Sequence, residues 1–157
     1  MLTSTATANT HMKKTSPQKN NMKYPTKKKI LAEKPEISML TIEMVKLWKK
    51  IALPGWKKDN QLIQFNKLQN LILLVTGTEG KPVPIVMHGH VNALLDGKII
   101  LLDMNKLSII STLHETAHYL FGPSELTACR WSIHLFKTCF PKQFEKLDWK
   151  GHLLIKQ

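Results

Sequence analysis

The sequence predicts an α+β domain: a helical hairpin, a small antiparallel sheet and two packed helices. Three observations carry this. Apolar residues recur every three or four positions from 41 to 75, with one Pro-Gly break. The β-branched and aliphatic run over 84–102 then abandons that period and holds Asp96-Gly97 between two apolar stretches. The helical period returns from 105 to 140.

Residues 1–36 combine Ser, Thr, Asn, Lys and three prolines with almost no large apolar side chains, the composition of a disordered arm. The folded domain is expected to run from about Ile37 to the end of the chain, over 37–157. Thr41 caps the first helix, with Ile42, Val45, Trp48 and Ala52 on one side, and Leu53-Pro54-Gly55-Trp56 ends it. Asp59 or Asn60 caps the second, with Leu62, Phe65, Leu68, Ile72 and Val75 on one face. Asp96-Gly97 is a two-residue hairpin signal, since a type I′ turn needs positive φ at both central positions, so antiparallel strands are expected at about 84–95 and 98–102. Asn105 caps the next helix, marked by Leu107, Ile110, Leu113, Ala117 and Phe121, which Gly122-Pro123 stops. Ser124 caps another, with Leu126, Cys129, Ile133, Phe136 and Phe140 spaced by three and four before Pro141. A short helix and a terminal strand or coil complete the chain.

Composition narrows the function. The longest uninterrupted aliphatic run, Leu71 to Val75, is far below the ~18 residues that span a bilayer, and the N-terminal stretch has no apolar segment of signal-peptide length. No membrane partner is expected, and the location expected is the cytoplasm. Cys129 and Cys139 lie ten residues apart on one expected helix, too far to bridge, which suits a reducing compartment. Of the formal charge of +12, residues 1–35 contribute eight lysines against Glu33 alone. Such an arm attracts nucleic acid or other polyanions through counterion release, although it has no arginine and only Tyr24 for stacking.

The chemistry concentrates in His114-Glu115-Thr116-Ala117-His118. Four positions on a helix place both imidazoles on one face, about one turn apart, so that two ring nitrogens can converge on one zinc ion. Glu115 is rotated by about 100° from His114, placed to act as base rather than ligand. Catalytic zinc takes three protein ligands plus water. Glu125 lies seven residues beyond His118, in the first turn of the next helix and across the Gly122-Pro123 break. A tight turn folds that helix back and brings its carboxylate to the histidine face, with small residues Ala128 and Ser132 allowing close approach. Rival third ligands are His134, Cys129 and Asp103. His88 and His90 share a strand face with Asn92, an arrangement more typical of a solvated strand than of a metal site. Candidates for the oxyanion donor are Tyr119, His134 and His152.

The stretch from His114 to Pro141 resembles the active-site core of the gluzincin metallopeptidases. Its second half, Glu125-x-x-Ala128-x-x-Trp131, is similar to the corresponding run of the ImmA/IrrE peptidases. The resemblance implies a zincin-like fold, zinc held by His114, His118 and Glu125, and Glu115 as catalytic base. It also implies a protein or peptide substrate, approached beside a strand edge such as 84–95 or 98–102. The metzincin pattern is absent, since Phe121 and Ser124 stand where it has glycine and histidine. The link between the second histidine and the glutamate is shorter than in the ImmA/IrrE family. A second expectation comes from the basic arm: a nucleic-acid-associated binding module with a structural zinc and no hydrolase activity.

Overall fold

The structure, a computed structural model, describes residues 25–77, 85–88, 93–95, 99–103, 108–150 and 153–156. Helices α1 (Lys27–Ala32), α2 (Met39–Ala52) and α3 (Gln61–Val75) precede three short strands, β1 (Ile85–His88), β2 (Ala93–Leu95) and β3 (Ile99–Asp103). Helices α4 (Ile109–Phe121), α5 (Glu125–Cys139) and α6 (Pro141–Glu145) follow, then β4 (Leu147–Lys150) and β5 (Leu153–Lys156).

The molecule is mostly helical, which corrects the expectation of an α+β fold built around a small antiparallel sheet. Its strands are three to five residues long, and the stretch 84–95, expected as one strand, contains two. β2 runs antiparallel to β3, pairing Ala93 with Leu101 and Leu95 with Ile99, as a hairpin would. β1 is parallel to β3, pairing Ile85 with Ile100 and His88 with Asp103. The order β1-β3-β2 makes β3 central, so the segment near 98–102 is not an edge to which a substrate backbone could add.

The N-terminal boundary also moves. α1 lies within the segment expected to be a disordered arm, yet Ile30 is completely buried in the main core. The side chain of Thr26 caps its first turn. At its other end, Arg130 of α5 donates two hydrogen bonds to the Lys29 carbonyl, at 2.7 and 3.2 Å, and one to Glu33 at 3.1 Å. A helix this short leaves its last carbonyls without intrahelical donors, and the planar guanidinium satisfies one of them twice. Residues 1–24, with four of the eight lysines of the arm, lie outside the described residues.

Local capping explains the remaining elements. α2 begins at Met39, with the Ser38 hydroxyl accepting the Thr41 amide at 3.1 Å, so Thr41 sits inside the helix it was expected to cap. α2 buries Thr41, Val45, Trp48 and Ala52, and α3 buries Phe65, Leu68, Gln69, Ile72 and Leu73. The Trp48 indole donates to the Gln64 carbonyl at 3.0 Å, fixing the hairpin while satisfying a polar atom in the core. α4 is capped by Ser108 rather than Asn105.

The main core joins Ile30, Val45, Trp48, Leu68, Ile72, Leu113, Ile133, Leu135, Phe136 and Phe140, so α1, α2, α3, α4 and α5 share one apolar interior. A smaller cluster of Phe65, Ile85 and Ile100, with Trp56, Leu62, Ile109 and Tyr119 packed against it, ties the three-stranded sheet to α3 and α4. Among the described residues, no helix is long and apolar enough to cross a membrane.

Candidate metal centre

α4 is the most enclosed helix of the molecule. Every residue from Ile110 to Ala117 is buried, His114 and Glu115 included, at 3% and 5% exposed. A buried helix with two threonines must satisfy their hydroxyls, and it does so internally: Thr112 donates to the Ser108 carbonyl at 3.1 Å and Thr116 to the Thr112 carbonyl at 2.7 Å. The rigid backbone that results holds the two histidines in fixed relation, with ring centroids 4.7 Å apart and planes at 88°.

Gly122 ends α4 at φ +94°, a backbone angle that favours glycine, and Ser124 starts α5 by accepting the Thr127 amide at 3.2 Å. Only three residues, Gly122 to Ser124, therefore separate the helices. α4 and α5 make the most extensive helix–helix contact in the described structure, with Ala117, Ala128, Cys129 and Ser132 buried in the core they share. That close approach delivers Glu125, in the first turn of α5, to the histidine face.

Three donor atoms meet there. Glu125 Oε1 lies 3.0 Å from His118 Nε2, and Glu125 Oε2 lies 3.2 Å from His114 Nε2. His114, His118 and Glu125 together form a group able to hold a metal ion. Counted as one ligand atom from each residue, the three all lie within 4.8 Å of one another, somewhat wider than the roughly 3.3–3.4 Å between ligands that stand about 2.0–2.1 Å from a tetrahedral zinc. The other ring nitrogens are held from behind. His118 Nδ1 lies 2.9 Å from the Gly122 carbonyl, which can only accept, so Nδ1 carries the proton and Nε2 presents its lone pair to the cluster. His114 Nδ1 lies 3.8 Å from the Cys129 thiol.

This arrangement calls for positive charge. A neutral His118 with Nδ1 protonated would aim a lone pair at a carboxylate oxygen, which is repulsive unless Nε2 gains a proton or a cation joins the group. The hydrogen bond to Glu125 accordingly raises the His118 pKa, against the opposing effect of burial. Burial alone would raise the Glu125 pKa, but hydrogen bonds from both histidines hold it well below the usual carboxylate range. A proton or a divalent cation satisfies the same geometry, and the donor set of two imidazoles and a carboxylate suits zinc.

Glu115 behaves differently from Glu125. Burial is the main reason its pKa is raised, with the negative Glu125 adding to the effect and the two histidines opposing it. Glu115 is not part of the metal-capable group that His114, His118 and Glu125 form.

The other expected residues divide. Tyr119 is one turn beyond Glu115 on the same helix face and packs against Phe65, Ile85 and Ile100. His134 lies half a revolution round α5 from Glu125, on the side toward Ile30 of α1, so it joins neither the ligands nor the oxyanion candidates. His152 is outside the described residues, as are the side chains of His88, His90 and Asp103. Cys129 stands behind His114, and burial, together with the charges of Glu125 and Glu115, pushes its thiol up to about 12. Its sulfur faces Nδ1 of His114, the ring nitrogen turned away from Glu125, and it is not part of the metal-capable group. Its place behind the ring was missed in the sequence, although the fifteen-residue separation across a two-helix hairpin would have allowed it.

No family model matches this chain, and no curated protein or solved structure does either.

Proposed function

We propose that the protein is a zinc-dependent metallopeptidase. The observation that carries this is the convergence of His114 Nε2 and His118 Nε2 on the Glu125 carboxylate, at 3.2 and 3.0 Å, beside a buried and proton-avid Glu115. His114, His118 and Glu125 would hold the ion. Zinc in such a site supplies Lewis acidity, polarising a carbonyl and bringing the pKa of a water down to about 7. Glu115 takes a proton from the attacking water, holds it while the new C–O bond forms, and returns it to the amine as the C–N bond breaks. The turn at Gly122 fixes the tautomer of His118, and Cys129 restrains the ring of His114. Tyr119 is the favoured oxyanion donor of the three weighed, because it shares a helix face with Glu115. The likeness of His114 to Pro141 to gluzincin cores supports the same assignment.

The test combines metal analysis with peptide cleavage. Purified protein should carry one zinc per chain and cut members of a degenerate peptide library read by mass spectrometry. Glu115→Gln should keep the zinc and the fold while reducing cleavage by about 10²–10⁴-fold. Cleavage that survives this change, or that survives complete removal of zinc by chelator, would overturn the proposal. Stoichiometric zinc with no cleavage of any peptide would favour a structural ion instead.

The lysine arm supports delivery of this activity to proteins bound on nucleic acid. Because α1 belongs to the core, the informative truncation removes residues 1–24 only, with Lys13, Lys14, Lys19 and Lys23. Weaker binding to duplex DNA at low salt with cleavage intact is the expected result; unchanged DNA binding removes the idea.

A further inference from the structure

α2 carries two apolar stripes, and only one is used. Thr41, Val45, Trp48 and Ala52 face the core. Rotated about 100° from them, Leu40, Met44, Leu47 and Ile51 recur at intervals of four, three and four along the whole helix, the spacing of a coiled-coil seam. Leu40, Leu47 and Ile51 are 56%, 45% and 70% exposed, and Met44 is half-buried. A largely exposed apolar strip about 17 Å long marks an interaction surface rather than scattered surface residues.

We propose that this strip pairs with the same strip of a second copy of the chain, as an antiparallel two-fold helix pair. The charges beside it select that occupant. In an antiparallel pairing about a two-fold axis, Leu40 lies opposite Ile51 of the second copy and Met44 opposite its Leu47. The same layers then repeat in reverse. The solvent-side flank holds Glu43 and Lys50, seven residues apart. This register puts Glu43 next to Lys50 of the second copy and Lys50 next to its Glu43, so both flanking contacts are attractive. A parallel pairing would set the flank of Glu43 and Lys50 against the Thr41 and Trp48 flank of the second copy, where neither charge meets an opposite one. Among the described residues the ion pair of Glu43 is a solvent-exposed one with Lys46 at 3.8 Å, a weak contact that leaves it available. The opposite flank is Thr41 and Trp48, already buried in the subunit, which limits the interface to one helix width. So narrow a surface falls short of the ~800 Å² per partner of a standard interface, and the dimer is weak and concentration-dependent.

Sedimentation equilibrium of the full chain, from micromolar to millimolar protein, tests this. The measurement is made at about 0.15 M salt, where the Debye length is about 8 Å and repulsion between two chains of charge +12 is screened. The wild type should show a monomer–dimer equilibrium. Leu47→Glu should weaken it by tenfold or more, a change of about 1.4 kcal/mol or greater. Because Leu47 is exposed the variant should fold, which circular dichroism checks, and Ile51→Lys serves if it does not. Glu43→Lys and Lys50→Glu should each weaken the dimer several-fold, and the double exchange should restore it. A wild type that is monomeric throughout, a dimer indifferent to Leu47→Glu and Ile51→Lys, or a double exchange no better than the single changes would each overturn the pairing. A different protein requiring this strip, with the chain alone monomeric, would overturn it as well.

Discussion

Replacing Ile30 by alanine asks where the folded unit begins. α1 has three exposed lysines and one residue in the core, so nearly all of its anchorage resides in that side chain and in the contacts of Arg130. The change deletes three carbons from a site with no exposure. At about 0.8 kcal/mol per buried carbon the transfer loss is about 2.4 kcal/mol, and incomplete collapse of the cavity brings the total to about 3 kcal/mol, within the range of about 2–5 for such truncations. Urea denaturation of parent and variant, both free of metal, reads the difference as a lowered midpoint at constant slope. On heating, a domain of this size should lose roughly 12 °C in Tm. Lys28→Ala, at an exposed position of the same helix, should change stability by less than about 0.5 kcal/mol. A loss for Ile30→Ala as small as that of Lys28→Ala would refute the packing argument and return the domain boundary to the neighbourhood of residue 37.

Ser124→Ala removes the cap of the helix that presents Glu125 and should cost about 1 kcal/mol in denaturant unfolding, with zinc affinity reduced in a metal titration. Both thiols should resist alkylation in the native protein at pH 8. Burial pushes Cys139 up to about 11 and Cys129 up to about 12, so their thiolate populations are roughly a hundredfold or more below those of the unfolded chain, and labelling followed by mass spectrometry should be fast only in denaturant. His134→Ala should leave peptide cleavage close to that of the parent; a selective loss of kcat in a folded variant would restore His134 to the oxyanion candidates.

The long helices were legible because their apolar period is sustained over three turns or more; Asn60 and Ser124 cap α3 and α5 as expected, while the starts of α2 and α4 were displaced for one physical reason. Ser38 and Thr41 are both capping residues, three positions apart, and their hydroxyls hydrogen-bond to each other at 2.8 Å. Either can be read as the cap, and only the backbone shows that Ser38 is. Asn105 and Ser108 present the same ambiguity. α1 was illegible because a six-residue helix with one buried side chain has no period, and its lysines give it the composition of a solvated arm. The parallel pairing of β1 with β3 comes from contacts between segments some fifteen residues apart, which local alternation does not encode. In the candidate site, the two histidines and Glu125 could be read from spacing, since one helical turn and one tight link fix them. The oxyanion donor could not, because His134 shows on a helical wheel only by knowing which face α1 covers.

Gly122 finishes a helix and aims an imidazole with one peptide. Its amide closes the final turn onto the His118 carbonyl at 2.9 Å, while its own carbonyl steadies Nδ1 of the same residue. A methyl group there would touch nothing within 4 Å, so an alanine would be penalised through backbone torsion and not through crowding. Fraying at this end of α4 and loss of grip on an ion would thus be a single mechanical event, and whatever tightens one tightens the other.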